Sequence, residues 1–135
     1  MKYVCEKRFK SDLKTARHII DEILYNIDSK IDEDIYFDVR LILNELVSNC
    51  VLHGNKKDEA KQVNLFFSFD ERKIKIVVSD EGKGIKFWKK CNPNPFTIIN
   101  PLPFSSKGLG LIIVKGLSDK FYINGNTVTV QKSIS

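Results

Sequence analysis

Cysteine is scarce in this sequence, and long apolar runs are absent. The 135-residue chain has three cysteines, Cys5, Cys50 and Cys91, which are odd in number and far apart. This pattern supports neither a disulfide framework nor a zinc site, so free thiols are expected, with Cys50 in the core. No stretch reaches the roughly eighteen apolar residues of a transmembrane helix. The basic residues at the start have no apolar stretch behind them, so we expect no signal peptide and a cytoplasmic protein.

Charge of one sign is not concentrated either. The formal net charge is +5, and the basic residues are scattered, with small clusters at Lys56–Lys57 and at residues 86–90. Nucleic-acid proteins usually gather their positive charge in one stripe. A solvated surface, or the rim of an anionic-ligand pocket, is the simpler interpretation. We therefore expect no direct nucleic-acid partner and no membrane partner, although Phe87 and Trp88 in the second cluster leave a nucleic-acid surface as an alternative.

Helical patterns come early in the chain. Ser11 offers an N-cap, and apolar residues then recur with helical spacing over residues 13–27. Asp32 offers a second cap, and Gly54–Asn55 is a natural stop for the helix behind it. The buried face of this second helix is indicated by apolar residues at 4-3-4 spacing, namely Val39, Leu43, Leu46 and Cys50.

Strand patterns dominate the rest. Weak alternation over residues 2–9 is typical of an edge strand, and further strands are predicted at residues 62–69, 73–79, 121–124 and 127–131, with a helix over residues 108–119. Residues 85–106 contain all four prolines and little periodicity, which predicts a lid or binding loop. The sequence thus predicts one α+β domain over residues 1–135. Its architecture would be a two-layer sandwich, with a mixed, mostly antiparallel sheet and helices on one face.

Three polar segments stand out against this pattern. Glu45, Asn49 and His53 lie at i, i+4 and i+8, so a regular helix would align them in one row with about 6 Å between neighbours. A solvent-facing helix side explains such a row equally well. His53, near a helix end, is by itself more typical of a capping or packing group than of a ligand.

The second segment follows an apolar strand. Asp80 ends that strand, and Gly82 and Gly84 come after it at alternating positions. A carboxylate at a strand end can accept a hydrogen bond from an exocyclic amine such as that of adenine. The glycines would let the backbone approach a flat ligand closely. Taken alone, the segment is also compatible with an ordinary turn.

The third segment, residues 106–111 (SKGLGL), opens a helix. Backbone N–H groups at a helix N-terminus form an anion site together with the helix dipole, and Lys107 adds a charge suited to phosphate. The segment matches neither the P-loop nor the dinucleotide-binding fingerprint. A helix-entry turn without a ligand is an alternative reading of this segment alone.

In this order and combination, the segments resemble the ATP-binding domain shared by gyrase, histidine kinases and MutL. The matched stretches are residues 44–54 (NELVSNCVLHG), 80–84 (DEGKG) and 106–111, and the resemblance extends from about residue 11 to residue 132. The compact chain is most similar to the stand-alone anti-sigma-factor serine kinases, and residues 125–132 look like their last strand. Those bacterial transcription regulators hold a sigma factor and phosphorylate a serine on an anti-anti-sigma partner.

The resemblance implies ATP and Mg²⁺ as cofactors and a role for each matched residue. Asn49 would ligate Mg²⁺, Asp80 would bind the adenine amine, and Glu45 would be the general base toward a serine hydroxyl or water. The base pocket would be formed by Gly82, Gly84 and Ile85, and the phosphates would be wrapped by Lys107, Gly108, Leu109 and Gly110. His53 is not expected to be phosphorylated.

The chain departs from the family pattern at two points. Where the family commonly has Gly-Thr before its last strand, this chain has Gly125-Asn126-Thr127, so either Asn126 or Thr127 would take the adenine contact. Kinase members usually carry an arginine in the lid, for which Lys107 is the nearest candidate here.

Three functions follow from the resemblance. An anti-sigma-type serine kinase is the first expectation, because a pure nucleotide binder has no need of a base at Glu45. An ATP-dependent binding switch without phosphotransfer and a histidine-kinase-type catalytic domain are the alternatives. The resemblance also implies a homodimer formed through the edge strand at residues 2–9 and the polar face of the first helix.

Overall fold

The computed structural model describes residues 2–82 and 106–134, and for residues 106–109 it describes the backbone alone. The predicted lid at residues 85–106 lies outside these ranges, except that Ser106 begins a helix. The basic cluster at residues 86–90, Cys91, Gly84 and Ile85 also lie outside them.

Five strands form an antiparallel sheet in the order β1-β2-β3-β5-β4, and every described ladder is antiparallel. The α+β class is thereby confirmed, as are the position of β1 at a sheet edge and the predicted bounds of β2 and β3. The elements in chain order are β1 Tyr3–Lys10, α1 Leu13–Ile27, α2 Glu33–Asn49, β2 Gln62–Phe69, β3 Lys73–Ser79, α3 Ser106–Leu117, β4 Lys120–Asn124 and β5 Thr127–Ser133.

The core lies between the helices and one face of this sheet. Because side chains alternate between the two faces of a strand, every second residue of a strand enters the core. In β2 these residues are Val63, Leu65, Phe67 and Phe69. The predicted buried face of α2 is confirmed, since Val39, Leu43, Leu46 and Cys50 are all buried. Cys5 and Cys50 are buried free thiols, as expected.

The first helix begins one residue later than the sequence predicts. Asp12, not Ser11, is the N-cap of α1, and its carboxylate accepts hydrogen bonds from the N–H groups of Lys14 and Thr15 at 3.4 and 3.3 Å. Ser11 is instead buried behind β1, where its N–H donates to the carbonyl of Lys61 at 3.0 Å. The second predicted cap is correct, because Asp32 accepts a hydrogen bond from the N–H of Ile35 at 3.0 Å.

None of the helices within residues 2–82 and 106–134 is long and apolar enough to cross a membrane.

Candidate functional site

The carboxylate of Glu45 lies against α3 at Gly110, directly behind the first turn of that helix. Glu45 is half-buried near the end of α2, and α2 packs against α3. A Cβ atom added to Gly110 would overlap the Glu45 carboxylate, so the two residues are in close contact. The contact brings two of the three sequence segments together and sets a carboxylate beside a helix N-terminus.

Asn49, one turn beyond Glu45 on α2, presents an unpaired amide. Its Nδ2 atom is buried, and it has no hydrogen-bond partner among residues 2–82 and 106–134. Buried polar groups are nearly always paired, because leaving one unpaired costs about 1–3 kcal/mol. An orphaned amide on the polar row, next to Glu45, is therefore a good candidate for contact with a ligand.

A π turn, Cys50–Gly54, continues α2. The N–H of Asn55 donates to the carbonyl of Cys50, five residues earlier, at 2.8 Å. A π turn has more residues per turn than an α-helix, so the spacing that aligns His53 with Glu45 and Asn49 in a regular α-helix does not carry over unchanged beyond Asn49. The place of His53 in this row stays a prediction. Wide turns of this kind are frequent at functional sites.

The π turn brings Gly54 onto the Asp80 turn. A Cβ atom on Gly54 would overlap the Asp80 carboxylate, and one on Gly82 would overlap the carbonyl oxygen of Gly54. Within the turn, the N–H of Gly82 donates to Asp80 Oδ1 at 2.7 Å. The two glycines thus form a cradle around one carboxylate, with no room for a side chain on either of them.

Burial governs the chemistry of this carboxylate. It raises the pKa of Asp80 above its usual range, and the N–H of Gly82, the thiol of Cys50 and the charge of Lys61 offset that rise only in part. Burial and the adjoining Asp80 charge likewise raise the pKa of the Cys50 thiol, which stays protonated. An under-solvated carboxylate of this kind is suited to accept a hydrogen bond from a ligand N–H group.

The far side of the Asp80 turn is tied to the start of β5. The N–H of Asp80 donates to the carbonyl of Asn126 at 3.3 Å, and the side-chain amide of Asn126 donates to the carbonyl of Asp80. Thr127 pairs with Ser79 in the sheet, and its hydroxyl lies 3.5 Å from Oδ1 of Asn126. The Asn126 amide nitrogen is therefore committed to the protein backbone.

The remaining predicted site residues lie at the start of α3 or beyond the described ranges. Lys107, Gly108 and Leu109 lie in the first turn of α3, so their backbone belongs to the anion-binding end of the helix. Gly84 and Ile85 lie outside the described residues.

Four residues of the site were not among the predicted site residues, namely Cys50, Gly54, Asn55 and Asn126. Gly54 and Asn55 carried a signal, since a glycine followed by a polar residue marked the helix stop. Asn126 was one of two alternatives for a ligand contact. Nothing in the sequence distinguishes Cys50 from the other apolar positions of its helix face.

The fold and these contacts define a class of protein. The chain belongs to the histidine kinase-like ATPase domain family, whose model matches residues 9–132. It is similar to serine-protein kinase RsbW of Staphylococcus aureus MRSA252 and of Staphylococcus epidermidis, with 31% identity over 72% of this chain and 65% of each relative. The corresponding protein of Bacillus subtilis is 28% identical over 73% of this chain and 64% of its own length.

These matches confirm the resemblance to the serine kinases of the family. The chain spans just under two thirds of the length of these relatives.

The residues present fit the nucleotide that such a family implies. The cradle of Gly54 and Gly82 leaves the Asp80 carboxylate as an acceptor for an amine. The Glu45 carboxylate lies beside the N-terminal part of α3, where phosphates would bind. One turn farther along α2, the Asn49 Nδ2 atom has no partner within the described ranges and is open to a ligand acceptor.

Proposed function

We propose that this chain binds ATP with Mg²⁺ and transfers the terminal phosphoryl group to a serine of a partner protein. The contact between Glu45 and Gly110 carries the proposal, because it sets a half-buried carboxylate against the helix turn that would hold the phosphates. The similarity to serine-protein kinases RsbW supports the serine as acceptor. By the same resemblance, the partner is an anti-anti-sigma protein and the chain also sequesters a sigma factor.

The proposal assigns separate residues to the adenine and to the phosphates of the nucleotide. Asp80 accepts the adenine amine, with Gly82 against the ring and Gly84 and Ile85 completing the base pocket. Thr127 contacts adenine, since the Asn126 amide nitrogen is already bonded to Asp80. The backbone N–H groups at the start of α3, from Lys107 to Gly110, bind the phosphates, and the Lys107 charge adds to them.

Asn49 would hold Mg²⁺ through its side-chain oxygen. Within the described ranges, no group of three or more His, Cys, Asp or Glu side chains could hold a metal ion by itself. Mg²⁺ commonly takes most of its ligands from substrate phosphates and water, so one protein ligand beside the phosphate site suffices. The ion would neutralise phosphate charge during transfer.

Glu45 would act as the base. It would accept the proton of the serine hydroxyl while the oxygen of that hydroxyl bonds to the terminal phosphorus and ADP leaves. Positioning and charge neutralisation provide most of the catalysis in such a transfer, so the base is expected to contribute about 10²- to 10⁴-fold.

The substitution Glu45→Gln tests this assignment. Phosphate transfer from labelled ATP to a candidate anti-anti-sigma partner with an exposed serine should fall by about 10²- to 10⁴-fold. ATP affinity by isothermal titration should stay within about twofold, because the amide keeps the shape of the carboxylate. Glu33→Gln, on an exposed acidic residue of the same helix, is the matched control and should change neither quantity.

The outcomes separate the proposed functions. Wild-type protein that binds no Mg-ATP would overturn the proposal as a whole. Binding without transfer to a serine partner, in wild type and variant alike, would favour the ATP-dependent binding switch. Transfer to a histidine partner would favour the histidine-kinase type. Loss of both binding and transfer in Glu45→Gln would contradict a specific role as base.

The homodimer implied by the resemblance would use the edge strand β1 and the exposed side of α1. Sedimentation of the chain at several concentrations, with and without Mg-ATP, tests it. A monomer throughout would overturn it.

A further inference from the structure

Asn55 is a buried polar residue to which the proposed chemistry assigns no role. It directly follows the π turn, and its relative exposure is 1%. Its Nδ2 donates to the carbonyl of Gln62 at 3.0 Å, and its Oδ1 accepts the N–H of Glu81 at 2.9 Å. One side-chain amide therefore serves the first residue of β2 and the turn after β3 at the same time.

A third hydrogen bond closes these contacts into a ring. The carboxylate of Glu81 accepts the N–H of Gln62. Asn55, Gln62 and Glu81 are thus each bonded to the other two, and we call these three residues the Asn55 ring. The ring joins the end of the π turn and the start of β2 to the Asp80 turn, which is far from both in sequence.

The Asn55 ring adjoins both chain segments that form the cradle around the Asp80 carboxylate. Gly54 immediately precedes Asn55, while Asp80 and Gly82 stand on either side of Glu81. Gly54 and Asp80 are so close that a single added carbon would overlap the carboxylate. A small displacement of either segment would therefore move the carboxylate relative to its cradle.

We infer that Asn55 is a positioning residue for Asp80, which acts through the Asn55 ring without touching the nucleotide. The inference rests on the proposed binding of adenine by Asp80. An amide is needed because one planar group must donate to a carbonyl and accept from an N–H. An ionised carboxylate of the same shape has no donor and would face the Gln62 carbonyl with a negative charge.

The substitution Asn55→Asp tests the inference by isothermal titration with Mg-ATP. We expect an affinity about tenfold weaker near pH 8, from one broken hydrogen bond and one repulsive contact. Asn44→Asp is the matched control, because Asn44 is exposed on α2 and its Nδ2 donates only to the carbonyl of Arg40 at 2.9 Å. The control introduces the same charge at an exposed position of α2 and should leave the affinity unchanged.

A pH series distinguishes positioning from a general loss of stability. A protonated aspartic acid regains a donor, and burial raises the pKa of such a carboxyl. The ratio of the variant Kd to the wild-type Kd should therefore fall as the pH is lowered from about 8 to about 6. Using the ratio cancels the effect of neighbouring titratable groups present in both proteins, namely Cys50, Asp58, Lys61, Asp80 and Glu81. A residue that only stabilised the fold would lower the unfolding midpoint and leave the Kd of folded protein unchanged.

A second variant keeps the test decisive if Asn55→Asp does not fold. Glu81→Ala removes one bond of the ring from an exposed position, and an affinity about threefold weaker is expected. Unchanged affinity in the folded variants would overturn the inference while the proposed function stands. No binding by the wild type would instead overturn the proposed function.

Discussion

Asp70 and Asp80 end two neighbouring strands, β2 and β3, and make the same local hydrogen bond. In each case, Oδ1 accepts the N–H of the residue two positions later at 2.7 Å, from Arg72 in one turn and from Gly82 in the other. The N–H groups of Arg72 and Lys73 lower the pKa of Asp70, whereas burial raises the pKa of Asp80. The two turns share this one bond, and the pKa values differ because Asp70 also accepts the N–H of Lys73 at 3.0 Å while Asp80 is half-buried.

One distant segment of chain contributes to the burial of Asp80. The π turn lays Gly54 onto the Asp80 carboxylate and brings the Cys50 thiol to it. Asp70 instead closes a hairpin, where its N–H also donates to the carbonyl of Lys73 at 3.0 Å. A strand-ending aspartate becomes a candidate ligand contact when packing removes its water and leaves its hydrogen-bonding capacity incompletely used.

The largest effect is expected from breaking the acceptor itself. Asp80→Asn should weaken Mg-ATP binding by about 10- to 100-fold, because it removes a charged acceptor for the adenine amine. Asp70→Asn makes the same chemical change in the other turn and should leave the affinity unchanged. Isothermal titration of both variants measures the difference, and equal losses would show that the two turns do not differ in the way proposed.

The second effect is expected from the packing around Asp80. Gly54→Ala places a methyl group on the carboxylate and should lower the free energy of unfolding by about 1–3 kcal/mol. Gly116→Ala, in open space on α3, should raise it by about 0.5–1 kcal/mol. Backbone strain does not contribute to either change, because Gly125 is the described glycine with a positive φ, and neither Gly54 nor Gly116 has one. Urea unfolding measures both changes, and a Gly54→Ala protein as stable as wild type would contradict the close contact.

Local pattern was enough to predict most of the fold. In β2 and β3, buried and less buried residues alternate because the helices cover one face of the sheet. The bounds of both strands could therefore be predicted from this period of two residues. The buried face of α2 followed from the 4-3-4 spacing. The shift of the first cap from Ser11 to Asp12 could not be predicted in this way, because serine and aspartate are about equally favourable at an N-cap.

The candidate site was predictable residue by residue but not as an arrangement. Glu45, Asn49, Asp80 and the start of α3 were each singled out by type and position. Their neighbours were missed because the π turn depends on how the end of α2 meets the Asp80 turn, and such a contact has no local periodicity. The same holds for Asn55, whose bond to Glu81 spans 26 residues of sequence.

The smallest effect concerns how the free energy of unfolding depends on pH in the absence of nucleotide. This effect is expected to have opposite signs for Asp80 and Asp70. Because the pKa of Asp80 is raised on folding, the folded state binds its proton more tightly than the unfolded chain does. Stability from this group is therefore present below the ordinary aspartate pKa and is lost as the pH rises through the raised value. For Asp70 the pKa is lowered on folding, so its contribution is present above the ordinary pKa and is lost as the pH falls through the lowered value.

Urea unfolding of the wild type and the two asparagine variants at several pH values tests these signs. Relative to wild type, Asp80→Asn should gain stability as the pH rises through the window just above the ordinary aspartate pKa, and the gain should then level off. Asp70→Asn should lose stability relative to wild type as the pH rises through the window just below it. Two curves of the same sign would mean that packing on Gly54 does not distinguish Asp80 from Asp70. Opposite curves would tie the raised proton affinity of Asp80 to the same contacts that fit it for adenine.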